Sequence, residues 1–129
     1  MADVPDDLRY TKDHEWAKVE GNKIRVGITA FAVEQLGDIT LVELPKVGTR
    51  VEEGKAFGTV ESVKTLSDLF APISGKVARI NVDLEKSPEL VNDDCYGKGW
   101  MIAVTPSDAK ELSTLLEPAA YTAQLKAPH

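Results

Sequence analysis

The chain has 129 residues, 43% of them hydrophobic and 28% charged, which suits one domain around a single buried core. Its net charge is −6, with 15 Lys and Arg scattered among 21 acids, which argues against a nucleic-acid surface. No apolar run approaches the roughly 20 residues of a membrane span, the single Cys95 leaves no internal disulfide, and His14 and His129, without cysteine partners, do not read as a metal site.

The opening "MADVPDDLRY" is acidic and has no apolar stretch, so it reads as neither a secretory signal nor an Arg-rich transit peptide. A bacterial-type cytoplasm is the expected location, with a mitochondrial one only if a presequence was removed from ahead of Met1. "HEWAKVEGNKIRVGI" predicts a hairpin about Gly21-Asn22, with Ile24, Val26 and Ile28 alternating onto a buried face. "TAFAVEQLG" predicts a short helix that Thr29 caps and Gly37 ends. "DITLVEL" returns to strand as far as Pro45, and "VGTRVEEGKAFGTVES" is punctuated by Gly48, Gly54 and Gly58. "GKVARINV" and "GWMIAV" are two further strands. In "TPSDAKELSTLLEP", Thr105 is placed to cap a helix, Pro106 to be its first residue and Asp108 to complete the cap. Leu112, Leu115 and Leu116 would then share one apolar face. Pro118 interrupts, and "PAAYTAQLKA" adds a last turn or two. A faint echo between "VGTRVEEGKAFGTV" and "PISGKVARINVDL" suggests two similar halves joined at a turn. The expectation is one mostly β domain over 1–129, with a short inserted helix, a core over about 10–104 and a helical tail over about 105–126.

The turn between the halves, in "GTVESVKTLSDLFAPISGKV", carries Lys64 between the acids Glu61 and Asp68, which would favour its charged form. A charged amine is not a nucleophile, so any acylation of Lys64 needs another enzyme to deprotonate it and supply an activated acyl group. The chain shows no G-x-S-x-G, no phosphate loop ("GKG" at 97–99 is not one) and no Cys-His pair in a recognisable context. That pattern suits a substrate or carrier and not an enzyme. Most exposed lysines only solubilise, and spacing alone does not lift Lys64 above them.

Nine segments change that weight: "YTKDHEW", "VGIT", "LGDI", "VELP", "VESVK", "SDL", "APISG", "PELVN" and "YGKGWM", in order from Tyr10 to Met101. In sequence and spacing they resemble the H proteins of the glycine cleavage system. The resemblance implies a flattened sandwich of two antiparallel sheets, with a covalent lipoyl amide on Lys64 at a hairpin tip. It implies that Glu61 and Gly75 help lipoate-attaching enzymes recognise the site. It also implies that Glu15 and Asp68 line a cleft where the loaded arm is shielded from water. The expected function is carriage: the arm takes the aminomethyl group of glycine from the P protein, a pyridoxal-phosphate decarboxylase, to the T protein, an aminomethyltransferase. The L protein, dihydrolipoyl dehydrogenase, then reoxidises it. The expected carrier is a non-catalytic monomer that binds neither nucleic acid, membrane nor metal.

Three positions depart from the family's usual pattern. Cys95 stands where proline or another small residue is common and is expected to be buried. Thr65 and Leu66 stand where alanine is frequent, and Leu66 would alter the packing of the cleft. The alternatives are a lipoate relay scaffold or a carrier module of another lipoyl-dependent complex. A biotinyl domain is disfavoured, because Val63 and Thr65 flank the lysine where that family has methionines.

Overall fold

The computed structural model describes residues 4–126; Met1 and His129, which entered the readings of the N-terminus and of metal binding, lie outside the described residues. The chain order is β1 (Arg9–Tyr10), β2 (Glu15–Glu20), β3 (Lys23–Ile28), α1 (Ala30–Leu36), β4 (Ile39–Glu43), β5 (Arg50–Val51), β6 (Ala56–Ser62), β7 (Leu66–Phe70) and β8 (Gly75–Ile80). Two single helical turns follow, α2 (Asp83–Lys86) and α3 (Leu90–Asp93), then β9 (Ile102–Pro106), a 3-10 segment (Ala109–Thr114) and α4 (Pro118–Lys126). The strands form two antiparallel sheets, a larger one in the order β1-β2-β3-β9-β8-β5 and a smaller one in the order β4-β6-β7. The mostly β, two-sheet expectation holds.

The predicted hairpin forms as β2–β3, turning at Gly21, whose φ of +62° suits a residue without a side chain. Val26 and Ile28 of the larger sheet meet Val42, Val60 and Leu69 of the smaller in one core. Each such side chain withdrawn from water contributes on the order of 2 kcal/mol, which holds the two sheets face to face. A second cluster lies outside it, built from Leu8, Tyr10, Trp16 and Tyr121. There the Trp16 indole covers Gly27, its direct cross-strand partner, and a Cβ at Gly27 would stand 2.7 Å from the ring. Helix α1 is capped as expected: Thr29 Oγ1 accepts from the Ala32 N–H at 3.3 Å, and the Gly37 N–H donates to the Val33 carbonyl.

The tail differs from expectation. Thr105 and Pro106 do not start a helix; they extend β9, opposite Lys76 and Gly75 of β8. Strand pairing there outweighs the local capping signal, and proline is tolerated because it ends the strand. Asp108 is itself the cap, accepting from the Lys110 N–H at 3.0 Å, and what it caps is the 3-10 segment. Leu115 is extended (φ −77°, ψ 154°), so the three leucines share no helical face. Leu112 and Leu115 pack on the main core and Leu116 on the second cluster. Pro118 opens α4 instead of interrupting a helix. The two echoing segments are not equivalent either: the first supplies β5 to the larger sheet and β6 to the smaller, whereas the second supplies β8 and then runs into α2.

Candidate functional site

Lys64 stands exposed in the three-residue link between β6 and β7, after the last ladder pair, Glu61 opposite Leu66. Local hydrogen bonds fix this turn. Ser62 is buried, and its Oγ accepts from the N–H of Lys64 (3.1 Å) and of Thr65 (3.2 Å). The Ser62 N–H donates to the Thr65 carbonyl at 2.8 Å. From outside the hairpin, the Asp38 carbonyl accepts the Val63 N–H at 3.0 Å. Asp38 is held in turn by Asn92 of α3, whose Oδ1 accepts from Ile39 N–H at 2.8 Å and whose Nδ2 donates to the Gly37 carbonyl at 2.9 Å. The lysine's backbone is therefore held on both sides while its side chain reaches into water.

The aliphatic stem of Lys64 lies beside Gly37, where an added Cβ would be 3.4 Å from Lys64 Cε. Leu36, the next residue back, lines a cleft of about 450 Å³ between α1, the 13–15 loop and β7. Glu15 sits in its wall, only 2% exposed. Thr11 Oγ1 donates to its carboxyl at 2.7 Å and the Phe70 N–H at 3.3 Å. Burial pushes the Glu15 carboxyl up to about 8; these two hydrogen bonds offset part of that, and nearby Asp13 adds to it. Asp68 also lines the cleft but is exposed, at the outer face of β7 opposite Thr59. The structure thus brings Glu15 and Asp68 to one cleft; Lys64 does not line it, but its stem lies beside Gly37, which follows the lining residue Leu36. Among the described residues, no carboxylate lies within 4.0 Å of the Lys64 amine, so neither Glu61 nor Asp68 forms an ion pair with it.

A model of the family described as glycine cleavage H-protein matches residues 8–128. A glycine cleavage system H protein from Symbiobacterium thermophilum is 56% identical over 126 residues, 98% of each chain. One from Anaeromyxobacter sp. (strain K) is 55% identical over 121 residues, 94% of each chain. The crystal structure of a glycine cleavage system H protein from Mycobacterium marinum superposes with a TM-score of 0.88 at 41% identity, covering 96% of this chain and 100% of that one. The chain belongs to the glycine cleavage system H-protein family. H proteins are lipoyl carriers of that system, not catalysts, and they carry lipoic acid on a lysine.

Set against the family pattern, the remaining residues fall into two groups. Glu61 is exposed on β6, three residues before Lys64, with its side chain open to an approaching protein. Gly75 is elsewhere: it begins β8, between Val51 and Pro106, beyond the far end of β7, which is itself about 16 Å long. A Cβ there would collide with the Thr105 carbonyl oxygen, so close strand packing accounts for this glycine. Thr65 and Leu66 are both exposed, and Leu66, 61% exposed, is not among the residues that line the cleft. Cys95 is buried, and its carbonyl accepts from the Trp16 indole N–H at 3.0 Å. Sequence reasoning missed Ser62 and Asn92. A serine just before a turn is a usable signal for the first, but the Asn92 contacts span 53 and 55 residues and leave no local trace.

Proposed function

We propose that Lys64 is the lysine that carries the lipoyl amide, and that the adjoining cleft receives the loaded arm. The observation that carries this reading is the exposed Lys64 stem lying beside Gly37, the chain neighbour of Leu36 in the cleft wall. A bound lipoyl group supplies a disulfide that opens to accept a one-carbon cargo and closes again on oxidation. The protein's own residues then position and shield that arm. The hairpin holds the Lys64 backbone fixed, so that ordering cost is met before a partner arrives. Ile28, Ala32, Leu36 and Leu69 give the cleft an apolar lining that keeps water from a labile adduct. Glu15 and Asp68 offer carboxylates to the cargo's ammonium. With its carboxyl held up to about 8, Glu15 is protonated near neutral pH and would lose that proton as a cation settles beside it.

The partners on this reading are the P, T and L proteins and the lipoate-attaching enzymes, visited in turn by a monomeric single domain in the cytoplasm. Each enzyme would approach the smaller sheet, where Glu61, Leu66 and Val63 surround the lysine and are exposed. Gly75 would contribute to recognition only by shaping the scaffold. Tethering raises the effective concentration of cargo at each docked active site, which is the physical gain of a covalent arm.

Intact-mass spectrometry of protein made in lipoate-replete cells tests the assignment. A lipoyl adduct present in the parent and missing from Lys64→Arg supports it. An adduct that persists in that variant places the arm on another lysine.

A further inference from the structure

The second buried cluster holds a hydroxyl network for which the carriage scheme has no use. Tyr121 of α4 is fully buried and its ring stacks on Tyr10, with centroids 4.6 Å apart and planes 8° off parallel. Its hydroxyl lies 2.8 Å from His14 Nδ1 and 2.7 Å from Thr29 Oγ1. Both contacts bridge about a hundred residues of sequence, from the tail back to the cleft. His14 lines that cleft and packs on Phe31, another lining residue, at 4.6 Å between ring centroids. His14 is also the one non-glycine residue with positive φ (+71°) among the described residues. Such a conformation persists only where its surroundings hold it. Thr29 ties the two together: its N–H donates to the His14 carbonyl at 2.9 Å, and its Oγ1 caps α1 through Ala32, which lines the cleft as well.

We propose that the tail helix is a supporting wall of the arm cleft, with the Tyr121 hydroxyl positioning His14 and the first turn of α1 and so setting how closely the cleft holds a loaded arm. Tyr121 touches neither Lys64 nor the cleft lumen; it is a positioning residue that acts through His14 and Thr29. Burial pushes its phenol up to about 12, with a smaller contribution from Glu15 and an opposing one from the Thr29 hydrogen bond, so the hydroxyl keeps its proton at ordinary pH. Tyr121 has this role only if the cleft receives the arm, as proposed above.

The test compares Tyr121→Phe with the parent and with Glu15→Gln. Phenylalanine keeps the stack on Tyr10 and removes only the oxygen. The first readout needs no arm: amide hydrogen exchange and His14 ring resonances in unlipoylated protein. Faster exchange at Thr29 and Ala32 and a shifted His14 signal are expected, with the exchange of β6 and β9 amides unchanged. The second readout uses reduced, lipoylated protein loaded with formaldehyde and ammonium. Water then splits the carbon–sulfur adduct, returning thiol, formaldehyde and ammonium in equal amounts. Release from Tyr121→Phe is expected to be between about threefold and tenfold faster, the scale of one buried hydrogen bond. Parent-like release and parent-like exchange in Tyr121→Phe, beside faster release from Glu15→Gln, overturn the role of the tail alone. If neither variant releases faster, the cleft itself is not the receptacle and both readings fall. A third variant, Tyr121→Leu, breaks the stack as well; a global loss of exchange protection there, absent from Tyr121→Phe, separates scaffold damage from loosening of the cleft.

Discussion

The stem of Lys64 lies where a side chain on Gly37 would meet it: a Cβ added at Gly37 would stand 3.4 Å from Lys64 Cε and 3.8 Å from Nζ. The helix-ending glycine and the presented lysine therefore form one unit, although 27 positions separate them (64 − 37).

Gly37→Ala should destabilise the fold through the backbone, not through a clash. Gly37 has φ +80° and ψ −151°, a region that costs a residue with a side chain about 1–3 kcal/mol. Urea unfolding should show that loss, and lipoylation of Lys64 should slow as the supporting loop shifts. Unchanged stability would show that the loop relaxes freely and does not hold the lysine.

Asn92→Ala should loosen the hairpin tip from a distance. It removes the acceptor for the Ile39 N–H and the donor to the Gly37 carbonyl, and each abandoned group costs about 1–3 kcal/mol if it stays buried. Hydrogen exchange at the Val63 amide, held by Asp38 between those two residues, should quicken more than at core strands. Equal quickening everywhere would reduce Asn92 to a general stabiliser.

Glu15 should give the stability a pH slope of definite sign. Its carboxyl titrates at its ordinary 4.5 when unfolded and at about 8 when folded. Between those values the folded state keeps a proton that unfolding releases, so stability falls as pH rises through that window and is level outside it. Glu15→Gln mimics the protonated group and should flatten this part of the profile. Denaturant titrations at about pH 5.5 and about pH 8.5 on both proteins decide it; equal slopes would mean that Glu15 ionises normally in the fold.

Gly75→Ala should fail as a fold before it fails as a lipoylation substrate. The added methyl group meets the Thr105 carbonyl and Val104 Cγ1, where β8 and β9 pair. Overpacking of this kind costs about 1–3 kcal/mol or more. A variant with parent-like thermal unfolding that is nonetheless lipoylated slowly would restore direct recognition of Gly75.

Much of this protein was legible in one dimension. Alternation at Ile24, Val26 and Ile28, the turn at Gly21 and the Thr29–Gly37 helix each depend on residues within a few positions of one another, and all appear as expected. Lys64 at a turn was readable for the same reason, since β6 and β7 are sequence neighbours. The tail was misread because Thr105 and Pro106 answer to β8, some 30 residues away, and not to the residues after them. What the tertiary structure alone decided is the company each residue keeps: Asn92 beside Gly37, Tyr121 against His14, Glu15 drawn out of water. Hydrogen bonds and desolvation act between groups that are close in space, and chain contacts of this length leave no periodicity for a sequence to display.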